Sequence, residues 1–460
     1  MSAQGGKFDL TRGGILQKLI MVALPIMGTQ FIQMAYNLTD MFWLGRLGGE
    51  AVAATGASGM YLWLSMAFFL FGRMGAEIGV SQNLGRGDKA SAKGYAQTAN
   101  TLSLLLGLLI GALYMLLRTP LIGFFHIQEP SVAFDAERYL LIVSAGIPFT
   151  FFSASVTGIF NGSGNSRVPF LVNSTGLVLN MTLDPLLIYG FDWGVAGAAI
   201  ATVAAQAVVS VLFLLTLLFH RHRPFERFRL FRVPDGKNLL QIAKWVTPAA
   251  IESFLFTFFA MIISRAVAGH GSEALAAQRV GSQAESLSWL IAGGFSSAVM
   301  AFVGQNFGAE KWSRIRRGFK LSVYAMLIWG VVITGILFFG ARSIFLLFLP
   351  DDPGSVAIGT DYLRILAFCQ LSACLEAVSS GVFRGLGKTL PPSLVSVTIN
   401  ALRAGVVFFA ADTLGLDGIW WAVSLGAFAR GVWIFLWYLT ANRRLPREDA
   451  ALSSVSAQNE

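Results

Sequence analysis

The chain has 460 residues, of which 55% are hydrophobic and 13% charged, and it carries a formal net charge of +9 at pH 7. A soluble globule needs more charge than this to wet its surface, so the composition excludes a soluble domain and places most of the chain in lipid. Basic residues in short loops between spans account for the positive surplus more simply than nucleic-acid binding does.

The amino terminus, MSAQGGKFDLTRGG, is polar and lacks the apolar core and small-residue cleavage site of a secretory signal, so the first apolar stretch is expected to stay as a helix. Apolar stretches of roughly 20 residues, enough to cross about 30 Å of hydrocarbon, then predict spans near 16–41, 51–80, 95–117, 136–160, 168–190, 195–219, 240–266, 274–303, 318–341, 359–383, 391–411 and 418–440. With both termini cytoplasmic, 23 Lys and Arg fall on the cytoplasmic side, including the run RHRPFERFRLFR at 221–232. Only Arg46, Arg118, Arg138 and Arg342 fall outside. That asymmetry supports the span count and the orientation of a multi-pass membrane protein with both termini cytoplasmic. Cys369 and Cys374 lie five apart in one apolar stretch, badly placed for a bridge, and are expected as reduced, buried thiols.

A single offset of 223 in the numbering aligns the two halves of the sequence without a gap. GGEAVAA at 48–54 falls on GSEALAA at 271–277, QNLG at 82–85 on QNFG at 305–308, and GIFNGSGNS at 158–166 on GVFRGLGKT at 381–389. Matching Gly, Gln and Asn at one offset marks an internal repeat rather than chance likeness between apolar helices. The predicted fold is an all-α integral membrane protein with twelve transmembrane helices in two parallel, pseudo-symmetric six-helix lobes around a central cavity. The N-terminal lobe covers 1–219, a basic linker 220–239, the C-terminal lobe 240–441 and a tail 442–460.

An ionisable group in lipid costs several kcal/mol unless it meets a partner or water, so acids within spans are candidates for function. Here they are Asp40, Glu77, Asp184, Glu252, Glu285 and Glu376. Asp40 ends a helical stripe with Gln33, Tyr36 and Asn37 on the first span. Asn173, Asn180 and Asp184 form a second stripe on the fifth span, and Thr202 and Gln206 a third on the sixth. Three polar faces in one lobe are best satisfied by facing one another. Two carboxylates in one pocket hold a proton together, and with Asn180 and Thr202 as neutral oxygen donors the same pocket suits Na⁺; a hydrogen-bond network that only joins helices is the simpler alternative. Pro25 and Pro185 each remove a helical hydrogen bond and are candidate hinges. At the repeat offset, Asp40, Asn180 and Asp184 map onto Ile263, Arg403 and Val407, so the acidic site is not repeated. Second-lobe charges Glu252, Arg265, Glu285, Glu376, Arg403 and Arg430 either pair internally or line a substrate route. No phosphate loop, HExxH, GxSxG or CxxC occurs, which argues against an ATP site, and no catalytic residue is expected.

Together these residues resemble the multidrug and toxic compound extrusion (MATE) exporters over about 12–442. The likeness rests on two six-helix lobes, Pro25 and Pro248, the repeated QNxG, and the paired glycine motifs after the fourth and tenth spans. Within that family the chain is similar to the bacterial DinF-type branch, whose first-lobe site matches Asp40, Asn180 and Asp184 in NMTLDP, and Thr202. Tyr36, Tyr139 and Asn161 fall where that branch has pocket-lining polar residues. The sodium-driven NorM branch places key acids in the second lobe; here Glu252 matches but Ala373 stands where a tenth-span aspartate is expected. The resemblance implies a secondary antiporter, not an enzyme, that exports amphipathic, cationic compounds in exchange for H⁺ or Na⁺ by alternating access. It needs no cofactor beyond that coupling ion, takes a small-molecule substrate, contacts membrane lipid and acts as a monomer without nucleic acid. A flippase for lipid-linked or other anionic substrates is the alternative, kept open by Arg265, Arg403 and Arg430; a membrane-embedded enzyme would need converging groups that the sequence does not offer.

Overall fold

The computed structural model describes residues 8–127, 129–219, 223–350, 352–444 and 446. In lipid every backbone N–H and C=O needs an internal partner, and every regular element among the described residues is helical. The first repeat supplies α1 (Ile15–Leu47), α2 (Gly49–Gly85), α3 (Lys89–Leu116), the short α4 (Arg118–Gly123), α5 (Pro130–Gly162), α6 (Arg167–Pro185) and α7 (Gly194–Phe219). The second supplies α8 (Gly236–Ala268), α9 (Ser272–Gly308), α10 (Trp312–Phe339), α11 (Ala341–Phe348), α12 (Pro353–Ala367), α13 (Gln370–Gly385) and α14 (Leu390–Arg443). Among the described residues ten segments are long and apolar enough to cross a membrane, and α12 with α13 makes an eleventh span bent by 48°. The 54-residue α14 contains two helices joined at Gly415, whose left-handed φ of 64° breaks the winding, which gives the twelve spans predicted. Asp88 and Asp352 begin α3 and α12 by accepting the backbone N–H of Ser91 and Ser355, the usual way to satisfy a first-turn donor.

The repeat reappears as packing. A Cβ on Gly158 would stand 2.1 Å from the Arg73 carbonyl oxygen, and one on Gly381 would stand 2.6 Å from that of Ser296. Arg73 and Ser296 are themselves related by the repeat offset, so the glycine motifs let α5 touch α2, and α13 touch α9, backbone to backbone. Gly164 and Gly387, which follow, both take left-handed φ, 85° and 73°, where glycine carries no steric penalty.

The described residues pack as two compact units. The first holds Phe8, Asp9 and Gly28–Ala250; the second holds Leu10–Met27 and the described residues from Ile251 onward. These units differ from the lobes drawn at the basic linker, because the front of each repeat's first helix is buried by the other repeat. In the second unit Leu19, Val22, Ala23 and Ile26 join a core with Phe295, Phe302 and Val382. Leu10 donates its N–H to Gln305 Oε1 at 2.9 Å, and Asn306 Nδ2 donates to Leu10 O at 3.2 Å, so the QNFG motif holds the backbone of Leu10, ahead of α1. In the first unit Ile242 of α8 fills the space beside Gly75, and Trp245 packs on Tyr95 with ring centroids 5.6 Å apart. Cys369 and Cys374 are free and buried.

Candidate functional site: a carboxylate cluster in the first unit

The first unit gathers the acidic stripe residues. Asp184 is fully buried near the end of α6, and its Oδ1 accepts a hydrogen bond from Asn180 Nδ2 at 2.9 Å, one helical turn earlier. Its Oδ2 is buried with no hydrogen-bond partner among the described residues. Asp40 lies half-buried on α1, within electrostatic range of Asp184. Tyr36, one turn before Asp40, has the Thr202 side chain of α7 as a neighbour. Tyr139 of α5, 9% exposed, lies within range of both carboxylates. Four helices thus converge on two acids, and the neighbours are neutral oxygen and amide groups rather than cations.

Local sequence explains the convergence. Pro185 ends α6, and the chain passes into a π-helical turn at Leu186–Gly190, the wider winding that often marks a functional position. From that turn Tyr189 donates its hydroxyl to Trp43 O at 2.7 Å, tying the end of α6 to α1 one turn beyond Asp40. A Cβ on Gly197 would meet Leu187 O at 2.6 Å, so α7 lies directly on the same turn. Trp43, Leu44, Tyr139 and Ile188 share one apolar cluster that walls this region.

Other predicted residues sit elsewhere. Gln206 lies against Gly146 of α5, where a Cβ would approach its Oε1 to 2.6 Å. Asn173 reaches Thr157 at 3.5 Å and donates to Pro169 O at 2.8 Å. Asn161 follows Tyr139 on the same helix, α5, by about six turns or roughly 33 Å along the axis. It therefore does not join the cluster, although its amide is buried without a partner among the described residues. Gln33 lies half-buried two turns before Asp40, while the side chain of Asn37 falls outside what the structure describes. Pro25 lies inside a continuous α1, just before the chain passes from the second unit to the first.

In the second unit Glu252, Glu285 and Glu376 each have side-chain partners. Glu252 accepts from Ser393 Oγ at 2.8 Å and meets Arg384 at 3.5 Å, and Glu376 meets Arg430 Nε at 2.8 Å. Glu285 accepts from Tyr362 at 2.9 Å and Gln370 at 3.2 Å, with Arg403 in electrostatic range. Three acids face three arginines, and Arg265 is exposed at the end of α8. Sequence reasoning passed over Tyr362, Gln370, Arg384 and Ser393. The repeat carried a signal for one of them: Tyr139 maps onto Tyr362 at the repeat offset, and each tyrosine faces an acid of its own unit.

The fold and this cluster define a multi-pass α-helical membrane protein built from two copies of one unit. The MatE family model matches residues 25–186 and again 248–409, two windows related by the repeat offset, and the chain belongs to that family. It is 28% identical to the probable multidrug resistance protein NorM of Thermotoga maritima over 88% of each chain. It is 24% identical to the multidrug resistance protein PmpM of Pseudomonas aeruginosa over 96% of each. A crystal structure of MATE in complex with MaD3S superposes with a TM-score of 0.91 at 21% identity, covering 97% of this chain and 99% of the other, a likeness of fold.

Proposed function

We propose that the protein is a secondary antiporter that exports amphipathic, cationic compounds in exchange for H⁺ or Na⁺ by alternating access, with coupling at Asp40, Asn180, Asp184 and Thr202. As a member of the MatE family it is a transport protein and not an enzyme, and the relatives named for multidrug resistance support efflux as its direction. The observation that carries the coupling reading is the pair Asp40 and Asp184, set on different helices, with no basic partner and with Asp184 Oδ2 unpartnered among the described residues. Two carboxylates without a built-in cation attract a mobile one, and their oxygens with those of Asn180 and Thr202 suit a proton or a hard ion equally. Binding that charge relieves repulsion between α1 and α6, and Pro25 and the π turn after Pro185 are where those helices can change course. Exchange requires ion and cargo to favour different conformations, with a coupling free energy of about 1–3 kcal/mol.

The flippase alternative needs uncompensated positive charge; Arg430 is paired with Glu376 at 2.8 Å, and Arg403 lies within electrostatic range of Glu285 and Glu376. We place the protein in the bacterial inner membrane as a monomer, with both termini cytoplasmic, although residues 1–7 and 447–460 lie outside the described residues. The test is uptake of a fluorescent cationic dye by inverted vesicles with pH and Na⁺ gradients imposed separately. Accumulation driven by one gradient and lost in Asp40→Asn and Asp184→Asn is expected; ion-driven uptake that survives both substitutions refutes coupling at this cluster.

A further inference from the structure

Between α7 and α8, residues 226–232 are fixed along α3 as a strap. Lys93 Nζ donates to Glu226 O at 2.8 Å and Asn100 Nδ2 to Leu230 O at 2.9 Å. Arg232 donates its backbone N–H to Thr101 Oγ1 at 3.3 Å and a guanidinium N–H to Gln97 Oε1 at 3.2 Å. Phe225 and Phe228 are buried and anchor the strap from within. What it leaves outside is ordered by depth. From Lys93 to Thr101, α3 advances roughly 12 Å, from its polar start to the edge of its apolar stretch at Leu102. Arg227 and Arg229 are exposed along the polar part, Arg223 is exposed just before them with its guanidinium also donating to Leu218 O of α7, and Glu226 is the one acid among them. Phe231, 69% exposed, and Val233, 88% exposed, follow beside the first apolar turn.

We propose that this strap is a binding site for anionic phospholipid headgroups: Arg223, Arg227 and Arg229 meet the phosphates while Phe231 and Val233 enter the acyl boundary. Guanidinium groups above and large apolar side chains below match the layering of one lipid leaflet, whereas a nucleic acid or an acidic protein would leave Phe231 and Val233 without a partner. A loose basic loop attracts anionic lipid only diffusely, within the Debye length of about 10 Å. The bonds from Lys93, Gln97, Asn100 and Thr101 instead hold the charges and apolar tips in register.

The experiment uses the full-length protein purified from mixed phosphatidylcholine and phosphatidylglycerol vesicles. Retained lipid is read by native mass spectrometry, and folding by melting in phosphatidylcholine alone. Wild type is expected to retain phosphatidylglycerol preferentially, and R227Q/R229Q to lower that preference by roughly tenfold or more. Q97A/N100A keeps every arginine but frees the strap, and it is expected to lose most of the preference. Because Phe231 and Val233 are exposed, F231S/V233S leaves the fold intact and should weaken retention several-fold even if the other variants melt early. Equal retention in all four proteins overturns the site. Full retention in both Q97A/N100A and F231S/V233S, with loss only in R227Q/R229Q, reduces it to diffuse charge and overturns the built strap.

Discussion

Arg430→Leu isolates the energetic role of the second unit's charges. The Arg430 side chain is 4% exposed and its Nε stands 2.8 Å from Glu376 Oε2, with the guanidinium 5.6 Å from the centre of the Trp289 ring. At that separation and an effective dielectric of about 20, the attraction is roughly 6 kcal/mol, much of it offset by the cost of removing both charges from water. Removing Arg430 alone forfeits the attraction and leaves the burial cost of Glu376, so a loss of about 3–5 kcal/mol is expected. Arg384 is close enough to take up part of that charge and Glu252 close enough to oppose it, which places the result toward the lower end. Glu376→Gln combined with Arg430→Leu removes both charges and should recover all but about 1–2 kcal/mol. Thermal and chemical denaturation of the purified protein in one detergent, on wild type, both single variants and the double variant, reads these differences as a cycle. If Arg430→Leu melts with wild type, or if the double variant is no more stable than Arg430→Leu, the ion pair does not hold α13 to α14 and the reasoning fails.

Two further outcomes follow from local geometry. Gly158→Ala places a methyl 2.1 Å from a backbone oxygen that cannot rotate away, so α2 and α5 must separate and a loss of about 1–3 kcal/mol or more is expected; Gly45→Ala, with nothing within 4 Å of its Cβ, should be neutral or slightly stabilising by melting temperature. Asp88 is held below the usual carboxylate range by the Ser91 side chain and then by the Ser91 and Ala90 backbone N–H groups. A carboxyl whose folded value is depressed stabilises above its unfolded value and ceases to as pH falls through the folded one, so the gap between wild type and Asp88→Asn should be present at neutral pH and close on acidification; a gap independent of pH contradicts the charged cap.

The helices, the span count and the repeat were legible in the sequence because lipid leaves the backbone few options and because helices that touch backbone to backbone need glycine at the contact, so its spacing records the packing. Asp40, Asn180, Asp184, Tyr36 and Thr202 were legible because helical periodicity puts polar groups on one face, and polar faces in lipid seek each other. Asn161 shows the limit of that logic: it shares a helix with Tyr139, but the rise between them carries it to the far end of that helix and away from the cluster. Partners drawn from distant helices, such as Tyr362 and Gln370 on Glu285, leave no mark in local periodicity; only the repeat offset, which maps Tyr139 onto Tyr362, hinted at one of them. The basic run at 221–232 reads as loop charge, and the sequence does not disclose that Gln97, Asn100 and Thr101 of α3 hold part of it in place.

Two of the points at which the chain passes between the compact units, after Met27 and after Ala250, are mapped onto each other by the repeat offset. Neither repeat therefore owns a finished core. As the chain is made, the first unit must wait for the opening turns of α8, and the opening turns of α1 must wait for α9 and α13, most of the protein away. A single repeat of this design would be complete only as a pair of copies that trade their first segments, so joining two copies in one chain converts a concentration-dependent exchange into an intramolecular one. Cutting the chain between Phe219 and Gly236 should give two fragments that fold together when co-expressed and not at all when made separately.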